Sequence, residues 1–219
     1  MIFKAILALH ILAGATGLIA GTINMVRKKG DKLHVLFGKA FLYGMLTAGC
    51  CSFALAVIHP SLFLFMVGVF TIYLVGTGER YLFLKQLHLT QKPLVIDWAL
   101  TIFMAIGGLT LIGAGIHGLI NGNTFGLVYV VFGGSGLKNV YDDVQNYQGK
   151  ITNKNYWLLV HIGRMSGGYI AAFTAFLVTN SDKFPVAIQG TILWLLPTII
   201  FVPLIVYWSK KVKIIPVVK

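Results

Sequence analysis

The chain has 219 residues, 57% of them apolar and 11% charged, with a formal net charge of +12. That balance excludes an ordinary soluble domain and reads as a polytopic membrane protein. The basic residues sit in short runs between apolar stretches, so positive loops account for the charge and no nucleic-acid partner is expected.

A hydropathy window of about 19 residues gives seven apolar segments, at about 3–26, 34–57, 61–84, 94–118, 124–141, 156–180 and 189–208. The predicted fold class is all-α: a single transmembrane helix bundle of seven spans over residues 1–219. In the first span His10, Gly14, Gly17, Gly21 and Asn24 share one narrow stripe, and Gly17 and Gly21 form a small-residue pair suited to close helix packing. Positive charge follows this span rather than preceding it, and the span is too long for a cleaved signal peptide.

The second span opens at His34, with Lys39 one turn inside. It holds Cys50 and Cys51, which point about 100° apart on a helix and read as packing residues rather than a disulfide. A tight turn at His59-Pro60-Ser61 leads into the third span, where Tyr73, Gly76, Thr77 and Arg80 share a face. The fourth begins with Asp97, carries Thr101, Gly108 and Gly115, and ends near His117. The fifth is short and rich in glycine at Gly133, Gly134 and Gly136, so a bent or partly broken helix is expected. It is expected to run into a long polar loop, 138–155, containing Asp142 and Asp143.

The sixth span carries His161 and Arg164 one turn apart, and the same face continues through Gly168, Ala172, Ala175 and Thr179, all small. The seventh contains Pro197 and Pro203, expected kinks, and ends at Trp208, an interfacial anchor.

Loop charge predicts orientation. Arg27, Lys28, Lys29 and Lys32 lie in the first loop, Lys85 and Lys92 in the third, and Lys150 and Lys154 in the fifth. The tail adds Lys210, Lys211, Lys213 and Lys219, while the opposite side has Lys4 and Lys183. The N-terminus is therefore expected outside and the C-terminus in the cytoplasm.

Polar residues fall into two layers. The inner one holds Asn24, His34, Lys39, Glu79, Arg80, Asp97, Asp142, Asp143, His161 and Arg164. The outer one is thin, with His10, His117 and His59. Ionisable groups at such depth are costly unless they face protein, water or a ligand. One reading makes the inner layer a set of interfacial anchors and ion pairs in a structural or accessory subunit. The sharper readings share a polar pocket formed by His34, Lys39, Arg80, His161 and Arg164. It would hold an anionic lipid, a quinone or another small molecule, or a b-type haem ligated by His34 and His161. A metal held by His34, His161 and Asp97 or Asp142 is a further alternative. His10 with His117 is a candidate outer-half site. A small-solute transporter remains open, with Gly133–Gly136 and the proline-containing span as moving parts. No HExxH, Walker or CxxC motif is present, so no reaction or catalytic residue is assigned.

The segments HILAGATGLIAG (10–21), KKGDKLHVLFGKAFLYGML (28–46) and HIGRMSGGYIAAFTAFLV (161–178) resemble a bacterial family of predicted integral membrane proteins catalogued as a domain of unknown function. The recurring family positions match His10, His34, Gly38, His161, Arg164 and Met165, and the family often has arginine where this chain has Lys39. The resemblance implies a seven-span, multi-pass protein of the bacterial cytoplasmic (inner) membrane. It supplies no activity. The expected site is packed by spans one, two, three and six.

Overall fold

The computed structural model describes residues 1–185 and 191–217. Among them are seven α-helices: α1 (Ile2–Val26), α2 (Lys32–Ile58), α3 (Leu62–Arg80), α4 (Val95–Ile120), α5 (Gly126–Tyr147), α6 (Tyr156–Thr179) and α7 (Thr191–Lys211). The protein is all-α, and α1 to α4 are each long and apolar enough to cross a membrane. The expected start of the seventh span at 189 and the charge of Lys219 lie outside the described residues.

Local chemistry sets several boundaries. Gly30 sits at φ +82°, a left-handed conformation that lets the α1–α2 turn close tightly. Asp31 then caps α2, its carboxylate accepting from the His34 amide at 2.7 Å. Ser61 caps α3 by accepting from the Leu64 amide. Asp97 turns back to accept from the Leu94 amide at 2.7 Å, closing the first turn of α4.

α3 is the central helix, packed against α2, α4 and α6; α1 lies on α2, α5 on α4, and α7 on α6. The stripe on α1 faces α2 and α6. Gly17 meets Met45, and a Cβ at Gly21 would fall 2.5 Å from the Tyr169 ring.

The fifth segment departs from expectation twice. α5 is one continuous helix, and Gly126, Gly133 and Gly136 serve close packing, whereas Gly134 faces open space. A Cβ at Gly133 would lie 2.7 Å from the Gly108 carbonyl oxygen, and one at Gly126 would lie 2.3 Å from that of Gly115. The helix also continues through residues 138–147, expected as loop. Lys138 and Asp142 pair one turn apart on its outer side, while Asp143 turns inward. Pro197 and Pro203 both lie inside α7.

The loops α1–α2, α3–α4 and α5–α6 gather at one end with the C-terminal segment. Lys29 lies 4.0 Å from the Trp208 ring centre, and Lys85 lies 4.5 Å from that of Trp157. The Tyr156 hydroxyl donates to the Leu84 carbonyl and accepts from the Leu87 amide. The segment after α7 pairs with the α5–α6 loop: the Lys154 amide donates to Ile215 and the Val217 amide to Thr152. This end carries the basic loops.

Candidate functional site

α3 delivers Tyr73, Thr77 and Arg80, α4 delivers Asp97 and Thr101, α5 delivers Asp143, and α6 delivers His161 and Arg164. Asp143 and Asp97 have no exposed surface, and Arg164 is 5% exposed. Burial at that level requires full compensation, and it is met. Arg164 Nη2 donates to Asp143 Oδ1 at 2.9 Å and to the Asn139 carbonyl at 3.0 Å. Its Nη1 donates to Thr77 Oγ1 at 3.0 Å. The guanidinium also lies 4.7 Å from the centre of the Tyr73 ring. Asp143 further accepts from the hydroxyls of Tyr73 at 2.5 Å and Tyr81 at 2.8 Å.

The second arginine is engaged as well. Arg80 donates through Nε and Nη2 to the two oxygens of Asp97, at 2.7 and 3.1 Å, in a bidentate pair. Thr101 joins the two pairs, donating to the Asp97 carbonyl at 3.0 Å and lying 3.4 Å from Asp143. The charged cluster is therefore built between α3, α4, α5 and α6, and not from the expected first, second, third and sixth spans. Its acids come from α4 and α5, which that expectation left out.

His161 sits apart from this cluster. Its Nδ1 lies 2.8 Å from the Gly78 carbonyl. A carbonyl oxygen can only accept, so Nδ1 carries a proton, and in the neutral ring Nε2 would hold the lone pair. Nε2 has no partner among the described residues and is not enclosed. His34 Nδ1, Asn24 Oδ1 and Arg27 Nε are enclosed and have no partner among the described residues. A hydrogen-bonded chain connects these three residues: Asn24 Nδ2 donates to the His34 carbonyl at 3.0 Å, the His34 amide to Asp31, and Arg27 Nη2 to Asp31 at 2.7 Å.

Of the expected pocket residues, Arg80 and Arg164 are committed to internal carboxylates and Lys39 is exposed, while His34 on α2 and His161 on α6 each have their own separate partners. Of the pair expected as an outer-half site, His10 donates from Nδ1 to the Ala48 carbonyl at 3.0 Å. His117 is exposed and contacts Asn121 of the same chain turn, so nothing joins it to His10 among the described residues. No group of three or more His, Cys, Asp or Glu side chains comes together among the described residues. The acids considered as co-ligands are taken, Asp97 by Arg80 and Asp142 by Lys138.

The residues that sequence reasoning underused are Asn24 and Arg27, seen there as a stripe member and a topology charge, and the tyrosines Tyr73 and Tyr81. Spacing carried one signal: Gly136, Val140, Asp143 and Tyr147 repeat at helical intervals, placing the acid on the packed face of α5.

A groove of about 350 Å³ opens at the same end, between the last turns of α5, the α5–α6 loop and the first turns of α6. Asn146, Lys150, Asn153 and Tyr156 line it, and none of the expected pocket residues does.

Compared with known proteins, the chain matches no family model, no curated protein and no solved structure.

Proposed function

We propose that this protein spans the bacterial cytoplasmic membrane seven times, N-terminus outside, and holds a small molecule or cofactor where α1, α2 and α6 meet at the cytoplasmic end. Support for the topology comes from three basic loops and the C-terminal segment gathering at one end of the bundle. Membership of the bacterial family that the histidine segments resemble is part of this reading. No reaction is assigned.

The observation that carries the binding site is His161. Its Nδ1 is engaged by the Gly78 carbonyl, and Nε2 is left available. An imidazole held through one nitrogen by a backbone carbonyl is oriented to accept a ligand hydrogen bond, or to donate a lone pair to iron, at the other. The same geometry favours a second reading, a haem- or quinone-linked redox protein. With Arg80 and Arg164 neutralised internally, the ligand-facing groups are His34 and His161, with Asn24 and Arg27 beside them.

The test is gentle purification of wild type beside His161→Ala, followed by absorption spectroscopy, metal analysis, and lipid and quinone extraction. The expected result is a ligand present in wild type and lost in the variant, with folded yield unchanged. A Soret band would select haem; a co-extracted quinone would select the quinone-linked form. Identical, ligand-free preparations would overturn the reading.

A further inference from the structure

Three of the four enclosed, unpartnered side-chain polar atoms among the described residues lie in one place, the α1–α2 junction. Arg27 Nε can only donate and Asn24 Oδ1 can only accept, while His34 Nδ1 can do either. The Asn24 amide is not free to turn over, because its nitrogen already donates to the His34 carbonyl. The end of α2 is not itself on offer, since Asp31 caps it.

The surrounding charge is one-sided. Arg27, Lys28, Lys29 and Lys32 stand against the single carboxylate of Asp31. Burial and the Arg27 charge together pull the Lys29 ammonium below its ordinary range. Its Nζ is folded onto the carbonyls of Asn24 and Met25, beside the Trp208 ring. Like charges held this close favour an incoming anion.

We propose that the α1–α2 junction binds a phosphomonoester group, with Arg27 Nε and His34 donating to its oxygens and Asn24 Oδ1 accepting from its remaining hydroxyl. The ligand reaches these atoms by displacing the Lys29 side chain from the two carbonyls. A phosphodiester has the negative charge but no hydroxyl, so it leaves Asn24 Oδ1 without a partner and binds less well. The group is supplied either by a lipid headgroup or by free phosphate. This assignment rests on the ligand-binding reading above and names the class of ligand.

The experiment uses the full chain in phosphatidylcholine nanodiscs. One set carries phosphatidic acid, one carries phosphatidylmethanol, an anionic phosphodiester with no headgroup hydroxyl, and one carries neither and is titrated with inorganic phosphate; bound species are read by native mass spectrometry. Wild type is expected to retain phosphatidic acid about tenfold over phosphatidylmethanol. Asn24→Leu removes Oδ1 and is expected to erase that preference, whereas Arg27→Lys keeps the charge opposite Asp31 but removes Nε, and is expected to weaken retention of both lipids alike. Arg27→Gln is expected to lose both lipids, and Lys4→Gln, at the other end of the bundle, to behave as wild type. Phosphate binding without a lipid preference would place the source in solution; a lipid preference without phosphate binding would place it in the bilayer. Equal retention of both lipids, with no phosphate bound, overturns the proposal. If the His161-dependent ligand is still found in that case, the anion assignment fails alone; if it too is missing, both readings fail.

Discussion

The cluster between α3 and α6 and the junction between α1 and α2 both set arginine against aspartate, buried in the first and partly exposed in the second, yet they are built to opposite standards. Around Arg164 the guanidinium has a carboxylate, a hydroxyl and a carbonyl, and Asp143 has two tyrosine hydroxyls besides. Around Arg27 the ion pair with Asp31 is made, but Arg27 Nε, His34 Nδ1 and Asn24 Oδ1 are left over. A satisfied network specifies how helices dock. A network with unmet donors and acceptors carries a standing cost of about 1–3 kcal/mol per group, which a ligand can remove. The difference separates a fastening from a receptor, although the residue types are nearly the same.

The sharpest way to break this comparison is Arg164→Ala. It would leave Asp143 charged and enclosed, and a loss of about 3–5 kcal/mol is expected. Denaturant titration in detergent measures it, and Arg164→Met combined with Asp143→Leu should recover most of the loss. Arg80→Ala is expected to cost less, about 1.5–3 kcal/mol, because Arg80 is 23% exposed and water can reach the site. The same titration checks it. A result as severe as Arg164→Ala would mean that the two pairs act as one unit through Thr101. His161→Ala is expected to change stability by only about 0.5–1.5 kcal/mol, one hydrogen bond, while emptying the ligand site. The smallest effect belongs to Asp31. The bond from the His34 amide, followed by the Arg27 charge, holds its carboxyl below the usual value near 3.9. A carboxyl depressed on folding contributes above its unfolded pKa and loses that contribution as pH falls through the folded one. The protection of the His34 amide against solvent exchange should therefore fall only at pH values under that ordinary carboxyl value, which amide exchange followed through an acid titration measures.

The helices themselves were legible because apolar length and glycine stripes are written locally. Gly17, Gly21 and Gly168 all sit on packed faces as their spacing implies. The partners of the arginines were not legible, because pairing Arg164 with Asp143 depends on where α5 lies relative to α6, and no local pattern states that. The polar run after Lys138 also misled for a physical reason. Lys138, Asp142 and Gln145 look outward, or toward the groove, and dominate its composition. One inward acid with its tyrosine partners is enough to keep that stretch helical. The reverse held at the α1–α2 turn: its charges read as topology signals, and only the side-chain geometry exposed the unmatched atoms among them.

The Arg164–Asp143 pair also bears on how the chain enters a bilayer. In the seven-span arrangement proposed above, α5 would bring Lys138, Asp142 and Asp143 to the membrane, and an unpaired charge there is costly to an inserting helix. The counter-charge for Asp143 arrives only with α6, 21 residues later. α5 is thus a poor candidate for release into lipid alone and a good one for release as a hairpin, with the later helix escorting the earlier. An insertion assay that halts synthesis between them should find α5 still held at the insertion machinery, and find it freed once Arg164 has emerged.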